Sequence, residues 1–278
     1  MSEVREKSLK RVMVHSFIVI PFAIAVSCAV LFAAIQLLIR EEPTACELLE
    51  DVKVGGATRR WQSALELSRM LANPKLVPRE ESFTQEIIRA FRKSKEDDNR
   101  VRQYLALAMG RTGDSTYFEP LTEQIAEEKD ENLSAVIYAV GMLKDRRGTS
   151  VIAPFLEHPN SRIRSIAVAS IGNIADPSSV GRLKKALNDS EPNVQWGAAI
   201  SLAKMGDGSG KAILLKMLDR EYLSQFPEVD PEEENHLLLT AIDAASFLDD
   251  SQLNAKLQHL SRTDKSLKVR AAATEHLK

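Results

Sequence analysis

Across 278 residues the chain sets 37 Lys plus Arg against 39 Asp plus Glu, a formal net charge of -2, which excludes a chain-wide attraction to nucleic acid. Hydrophobic residues make up 44% and aromatic residues only 5%, so the apolar content is mostly Ala, Leu, Ile and Val, as suits closely packed helices. Cys28 and Cys46 both lie outside the repeats described below, which excludes a disulfide framework or a cysteine metal site within them.

The first predicted element is a membrane helix. From Val12 to Ile39 there is no Asp, Glu, Lys or Arg, and at about 1.5 Å per residue this stretch exceeds the roughly 30 Å hydrocarbon core. The apolar run continues through Leu37, Leu38 and Ile39, past the length of a cleaved signal, so an uncleaved single-pass anchor is expected over 12–39. Arg5, Lys7, Lys10 and Arg11 crowd the tail 1–11, while Arg40 and Lys53 alone follow closely. By the positive-inside rule the tail is cytoplasmic and the remainder extracytoplasmic. Ala25, Ala29 and Ala33 recur every fourth residue; they read either as a homodimer face within the membrane or as ordinary lipid-facing alanines. A linker or short helix fills 40–56.

Beyond residue 57 the chain repeats itself. Asp114, Asp145, Asp176 and Asp207 stand 31 residues apart, and Gly110, Gly141 and Gly172 keep the same step, with Ala203 in the fourth place. Leu121, Ile152, Leu183 and Leu214 form a third column and Ile125, Leu156, Leu187 and Leu218 a fourth. Such a period marks a stacked repeat. Each unit reads as two helices, because apolar residues fall at helical spacing on both sides of the aspartate. The aspartate occupies the turn and caps the second helix, with Pro177 at a first helical position in the third unit. Glycine inside a first helix costs about 1 kcal/mol relative to alanine, so its recurrence implies that adjacent first helices approach closely. No unit carries enough apolar surface to stand alone, hence about six helix pairs and a terminal helix over 57–278.

Val101-Arg102, Ile163-Arg164 and Val269-Arg270, each opening an alanine-rich helix, resemble the HEAT-like repeats of bacterial phycobilisome-lyase-type proteins, over roughly Ala57 to Lys278. The resemblance implies an all-α, right-handed α-solenoid, a HEAT/armadillo-like superhelix, here preceded by the membrane helix. It also implies that Arg102, Arg164 and the four turn aspartates form a structural ladder between units. For function it is poor, since the repeat serves scaffolds, regulators and some enzymes alike.

Chemistry-bearing patterns are weak. His158, His236, His259 and His276 stand apart from one another, without metal-ligand spacing. Gly206 to Lys211 departs from a phosphate-binding loop in spacing, and Ala212 replaces its Ser or Thr. The expectation is therefore no catalytic residues, no metal and no cofactor.

For recognition, the second helices of such arrays line one face, and its charge changes along the chain: Glu123, Glu127 and Glu128 early, then Arg182, Lys184, Lys185, Lys211 and Lys216. The basic part reads either as a contact for an acidic patch on a protein partner or as solvated helix surface. The step from Asp207 to Asp249 is 42 residues, and the excess around Tyr222 and Phe226 is a second contact candidate or an ordinary helix start. Trp196 stands where other units hold Gln103, Ser134 and Ser165; it is exposed for a partner or covers a gap beside Gly197. The functional expectation is a membrane-anchored HEAT-repeat scaffold or adaptor that binds a protein, a membrane-associated one among the candidates, without catalysis of its own. The alternative is a bilin-lyase-like or protein-maturation factor of the same repeat family.

Overall fold

The computed structural model describes residues 19–38 and 43–277, with side chains left out of the description at 33–38. The chain divides into two compact units, Met1–Thr44 and Ala45–Lys278.

In the first unit, helix α1 (Ile20–Leu38) carries no acidic residue in its first turn and no basic residue in its last. Its 19 residues rise about 28 Å at the usual pitch, just under a roughly 30 Å hydrocarbon core. Among the described residues no helix is long and apolar enough to cross a membrane. This corrects the membrane helix expected over 12–39, and the single-pass, extracytoplasmic placement that depended on it. The basic tail 1–11, residues 12–18 and 39 of that stretch and the side chain of Ala33 lie outside the described residues.

Among its described residues the regular elements of the second unit are all helices. It opens with α2 (Ala45–Val54), whose Leu48, Leu49 and Val52 are buried, inside the segment expected as a linker or short helix. The repeats follow as α3 (Ala57–Met70), α4 (Glu81–Lys93), α5 (Asn99–Arg111), α6 (Phe118–Thr122), α7 (Asp130–Met142), α8 (Arg147–Ile152), α9 (Ser161–Ile174), α10 (Val180–Ala186), α11 (Pro192–Lys204), α12 (Lys211–Met217), α13 (Arg220–Leu223), α14 (Pro231–Ser246), α15 (Ser251–Thr263) and α16 (Leu267–Glu275). The first helices α3, α5, α7, α9, α11, α14 and α16 pack each on the next, forming a repeat solenoid. Between them run the shorter second helices, several prolonged by 3-10 turns such as Ala153–Glu157.

The columns of the sequence become layers of the core. Leu121, Ile152, Leu183 and Leu214 are all buried, because one residue per second helix faces the layer of first helices at the same height. The glycine column lies where first helices meet. A Cβ on Gly110 would stand 2.6 Å from the Cα of Ala139, and one on Gly141 2.6 Å from the Cβ of Ser170. Close approach is thus what glycine supplies there. Each turn aspartate caps as expected: the carboxylates of Asp114, Asp145, Asp176 and Asp207 accept from the backbone N–H two residues on, at 2.8 to 3.1 Å.

A further column follows the same period. Gly113, Lys144, Ala175 and Gly206 all have positive φ, at 68°, 55°, 54° and 76°. The residue before each turn aspartate ends its helix in the left-handed region. Glycine takes that conformation freely, whereas Lys144 and Ala175 carry the steric cost of a Cβ. Ala175→Gly is therefore expected to stabilise the protein by about 0.5 to 1 kcal/mol, the relief of strain outweighing the added freedom of the unfolded chain. Urea unfolding checks this, and a lower midpoint for the variant would contradict it.

Candidate functional site

The side chains singled out for recognition separate by what they touch. Lys184 on α10 reaches across to Asp207, the capping aspartate of the next turn, at 2.8 Å. Its hydrogen bond, with that of Ser209, pushes the Asp207 carboxyl down to about 2, so that carboxylate is ionised at neutral pH. Lys211 at the start of α12 does the same with Asp250, the cap of α15, and holds that carboxyl below its ordinary range. These lysines join one second helix to the turn of the next unit. The ammonium groups of Lys184 and Lys211, both expected as partner contacts, are thus engaged within the array. Lys216 lies with its ammonium 6.0 Å from the ring centre of Tyr222, in the range of a cation–π contact.

The early acidic stretch is likewise paired. Glu123 meets Arg92 at 3.0 Å and Glu127 meets Lys95 at 2.9 Å, each cation coming from the unit before. Glu128 pairs with Arg102, and both side chains are almost wholly buried, at 5% and 4% exposure. The first-helix arginines were expected to contact the turn aspartates. Instead Arg102 binds Glu128 and the carbonyl oxygen of Phe91, and Arg164 binds Asp189 and the carbonyl oxygen of His158. Geometry explains the correction: the arginine opens its helix, and the turn aspartate lies a helix length away, about 18 Å at 1.5 Å per residue. What is within reach is the loop on either side of the helix start.

Trp196 is buried, at 3% exposure, which corrects its reading as an exposed contact. Its ring meets Phe226 edge-on with centroids 5.0 Å apart, Tyr222 and Phe226 stack edge-on at 5.2 Å, and the indole N–H points to the Tyr222 hydroxyl at 3.3 Å. The longer step between units thus folds back through α13 and packs Tyr222 and Phe226 on Trp196, covering the side of α11. Trp196 is buried in an apolar cluster with Leu214, Leu223 and Leu238, against which Tyr222 and Phe226 pack partly buried.

Arg182 and Lys185 remain. Both are exposed on α10 and make no hydrogen bond or ion pair among the described residues. They border a groove of about 540 Å³ between the 3-10 turn Ala153–Glu157 of one unit and α10 of the next. Ala153, Leu156 and Ala186 supply apolar lining, and Glu157, His158 and Asp189 polar lining. At its base the guanidinium of Arg164 donates to both carboxylate oxygens of Asp189 at 2.8 and 2.9 Å and to the His158 carbonyl at 2.9 Å. The hydrogen bonds of Arg164 hold the Asp189 carboxyl below its ordinary range, against the opposing effect of burial. One arginine so ties the loop before its own helix to the loop before the next, fixing the spacing of the groove walls. Sequence pattern placed Arg182 and Lys185 on a basic face; the groove and its Arg164 brace depend on two loops one repeat apart and were not visible in it.

The groove lies within residues 149–224, which match the model of the family described as HEAT repeats. Those residues carry HEAT repeats. The chain's HEAT array is similar to known proteins over a wider span. The bilin biosynthesis protein PecE of Mastigocladus laminosus is 27% identical over 166 residues, covering 58% of this chain and 58% of that relative. The chain thus spans less than two thirds of the length of the curated relative it matches. A chain of the complex of CpcE and CpcF of phycocyanin lyase from Nostoc sp. PCC7120 aligns with a TM-score of 0.56 at 15% identity, covering 86% of this chain and 97% of that one. At that identity the likeness shows a common fold. The expectation of a HEAT array without any catalytic part is corrected by the first of these matches, whose relative is a protein of bilin biosynthesis.

Proposed function

We propose that this protein is a bilin-lyase-like maturation factor, which handles a bilin during its attachment to a client protein and works together with a protein partner. The observation that carries this reading is the 27% identity to a bilin biosynthesis protein over 166 residues. The common fold with a chain of the CpcE and CpcF complex is consistent with it and supports a second protein subunit as the partner. A stacked array suits such work. It offers long side surfaces to a client, while the groove beside α10 is of a size to take a small molecule.

The test is reconstitution. The full chain is expressed with a phycocyanin subunit and a CpcF-type second subunit in a host that makes a bilin. Covalently bound pigment on the client is then read by zinc-enhanced fluorescence in a denaturing gel. Labelled client is expected in the presence of the chain, at a level well above that of the same host lacking it. Equal labelling with and without the chain would remove the proposal.

A further inference from the structure

We infer that the groove between the turn Ala153–Glu157 and α10 is a binding site for a small amphiphilic carboxylic acid, with Arg182 and Lys185 receiving the carboxylate. The site rests on the geometry of the groove; a linear tetrapyrrole as occupant rests on the function proposed above.

The first support is charge accounting. Of the basic residues on this stretch of second helices, Lys184 and Lys211 neutralise the caps of neighbouring turns and Lys216 sits against Tyr222. Arg182 and Lys185 have no such partner among the described residues, and their spacing of three along α10 puts both on one side of the helix. Around the groove the charges are Arg164, Arg182 and Lys185 against Glu157 and Asp189. Arg164 and Asp189 cancel as a bidentate pair, which leaves two free cations facing one free carboxylate. That excess of one positive charge suits a single carboxylate group, to which Arg182 and Lys185 can each donate a charge-assisted hydrogen bond.

Size and shape are the second support. A volume of about 540 Å³ falls in the ordinary range for small-molecule sites, roughly 300 to 1,000 Å³. Ala153, Leu156 and Ala186 give an apolar wall against which the body of a ligand lies while its acid group stays at the cationic rim. The groove is also built in advance of binding. Arg164 and Asp189, each 13% exposed, lock the loops that form its ends, so a ligand need not order them.

A linear tetrapyrrole has this chemistry: an elongated, largely apolar chromophore bearing two propionate side chains. Biliverdin and its dimethyl ester are the probes, the second lacking the carboxylates. Wild-type full chain is expected to bind biliverdin, read by its visible absorption and induced circular dichroism, and to bind the ester at least about tenfold more weakly, the loss of one charge-assisted hydrogen bond. Arg182→Glu with Lys185→Glu is expected to weaken biliverdin binding by about ten- to a hundredfold and to abolish the preference for acid over ester. Because both side chains are exposed and unpaired, the doubly substituted protein should melt with the wild type, which separates lost binding from lost fold. The inference is overturned if the substituted protein binds biliverdin like the wild type, if the wild type does not distinguish acid from ester, or if it binds neither. Client labelling that persists in the substituted protein would leave the proposed function standing while the groove assignment falls. Groove-dependent biliverdin binding without client labelling would do the reverse.

Discussion

Gly141→Val is expected to destabilise the repeat unit by about 3 kcal/mol or more, the upper range for overpacking, and so to lower the melting temperature by roughly 6 to 12 °C for a domain of this size. Gly141 lies in α7 where that helix crosses α9. A Cβ there would stand 2.6 Å from the Cβ and 2.7 Å from the Cα of Ser170. The Cα is backbone, so no rotamer change relieves the clash; the two helices must separate and open the layer on both sides. A control comes from Gly181 in α10, whose added Cβ would meet nothing within 4 Å. There Gly181→Ala should be neutral or stabilising by up to about 1 kcal/mol, the ordinary helix preference. Circular-dichroism melts of the three proteins measure this, and a Gly141→Val melt coincident with the wild type would refute the close-packing account.

Arg102→Ala is expected to cost about 3 to 5 kcal/mol, as when one member of a buried ion pair is removed. Arg102 and Glu128 are 4% and 5% exposed, and the guanidinium also lies 4.2 Å from the centre of the Phe91 ring while donating to the Phe91 carbonyl. Truncation strands the Glu128 charge in a site from which water is excluded, and strips a carbonyl of its donor. Replacing both partners, Arg102→Met with Glu128→Leu, should recover most of the loss, because the penalty belongs to the stranded charge and not to the absence of the pair. The surface pair Arg92 and Glu123, each 53% exposed, is the comparison: Arg92→Ala should change stability by at most about 1 kcal/mol. Urea unfolding distinguishes these cases, and equal losses for Arg102→Ala and Arg92→Ala would show that burial is not what matters.

The buried pair also illustrates what could be read from residues alone. That Arg102 and Arg164 have structural work follows from their recurrence at the start of alanine-rich helices. Their partners do not follow, since Glu128 and Asp189 lie 26 and 25 residues further on, and distance along the chain says little about which loop end comes within reach. Lys184 and Lys211 are similar. On a helical wheel they are surface cations indistinguishable from Arg182 and Lys185, yet the stacking of units carries the first two onto Asp207 and Asp250 and leaves the others beside a groove. Trp196 shows the same limit for packing: its departure from its column was legible, but burial came from Phe226 and Tyr222, which the longer step between units folds back.

Local features behaved otherwise. The 31-residue period, the capping aspartates and the glycine column were all readable, because each expresses a short-range requirement, a backbone N–H needing an acceptor or a helix surface needing room, that repeats with the chain. The left-handed position before each aspartate is an instructive exception. It recurs at Gly113, Lys144, Ala175 and Gly206, but two of the four are not glycine, so residue type does not announce it. Sequence by itself determined the helix pairs, their period and the faces they bury, since these follow from hydrogen bonding and side-chain spacing within a single unit. Tertiary structure alone decided which charges are neutralised, which aromatic rings are covered and where a groove opens, since these depend on the offset between one unit and the next, and electrostatic and packing free energies change steeply over a few ångströms.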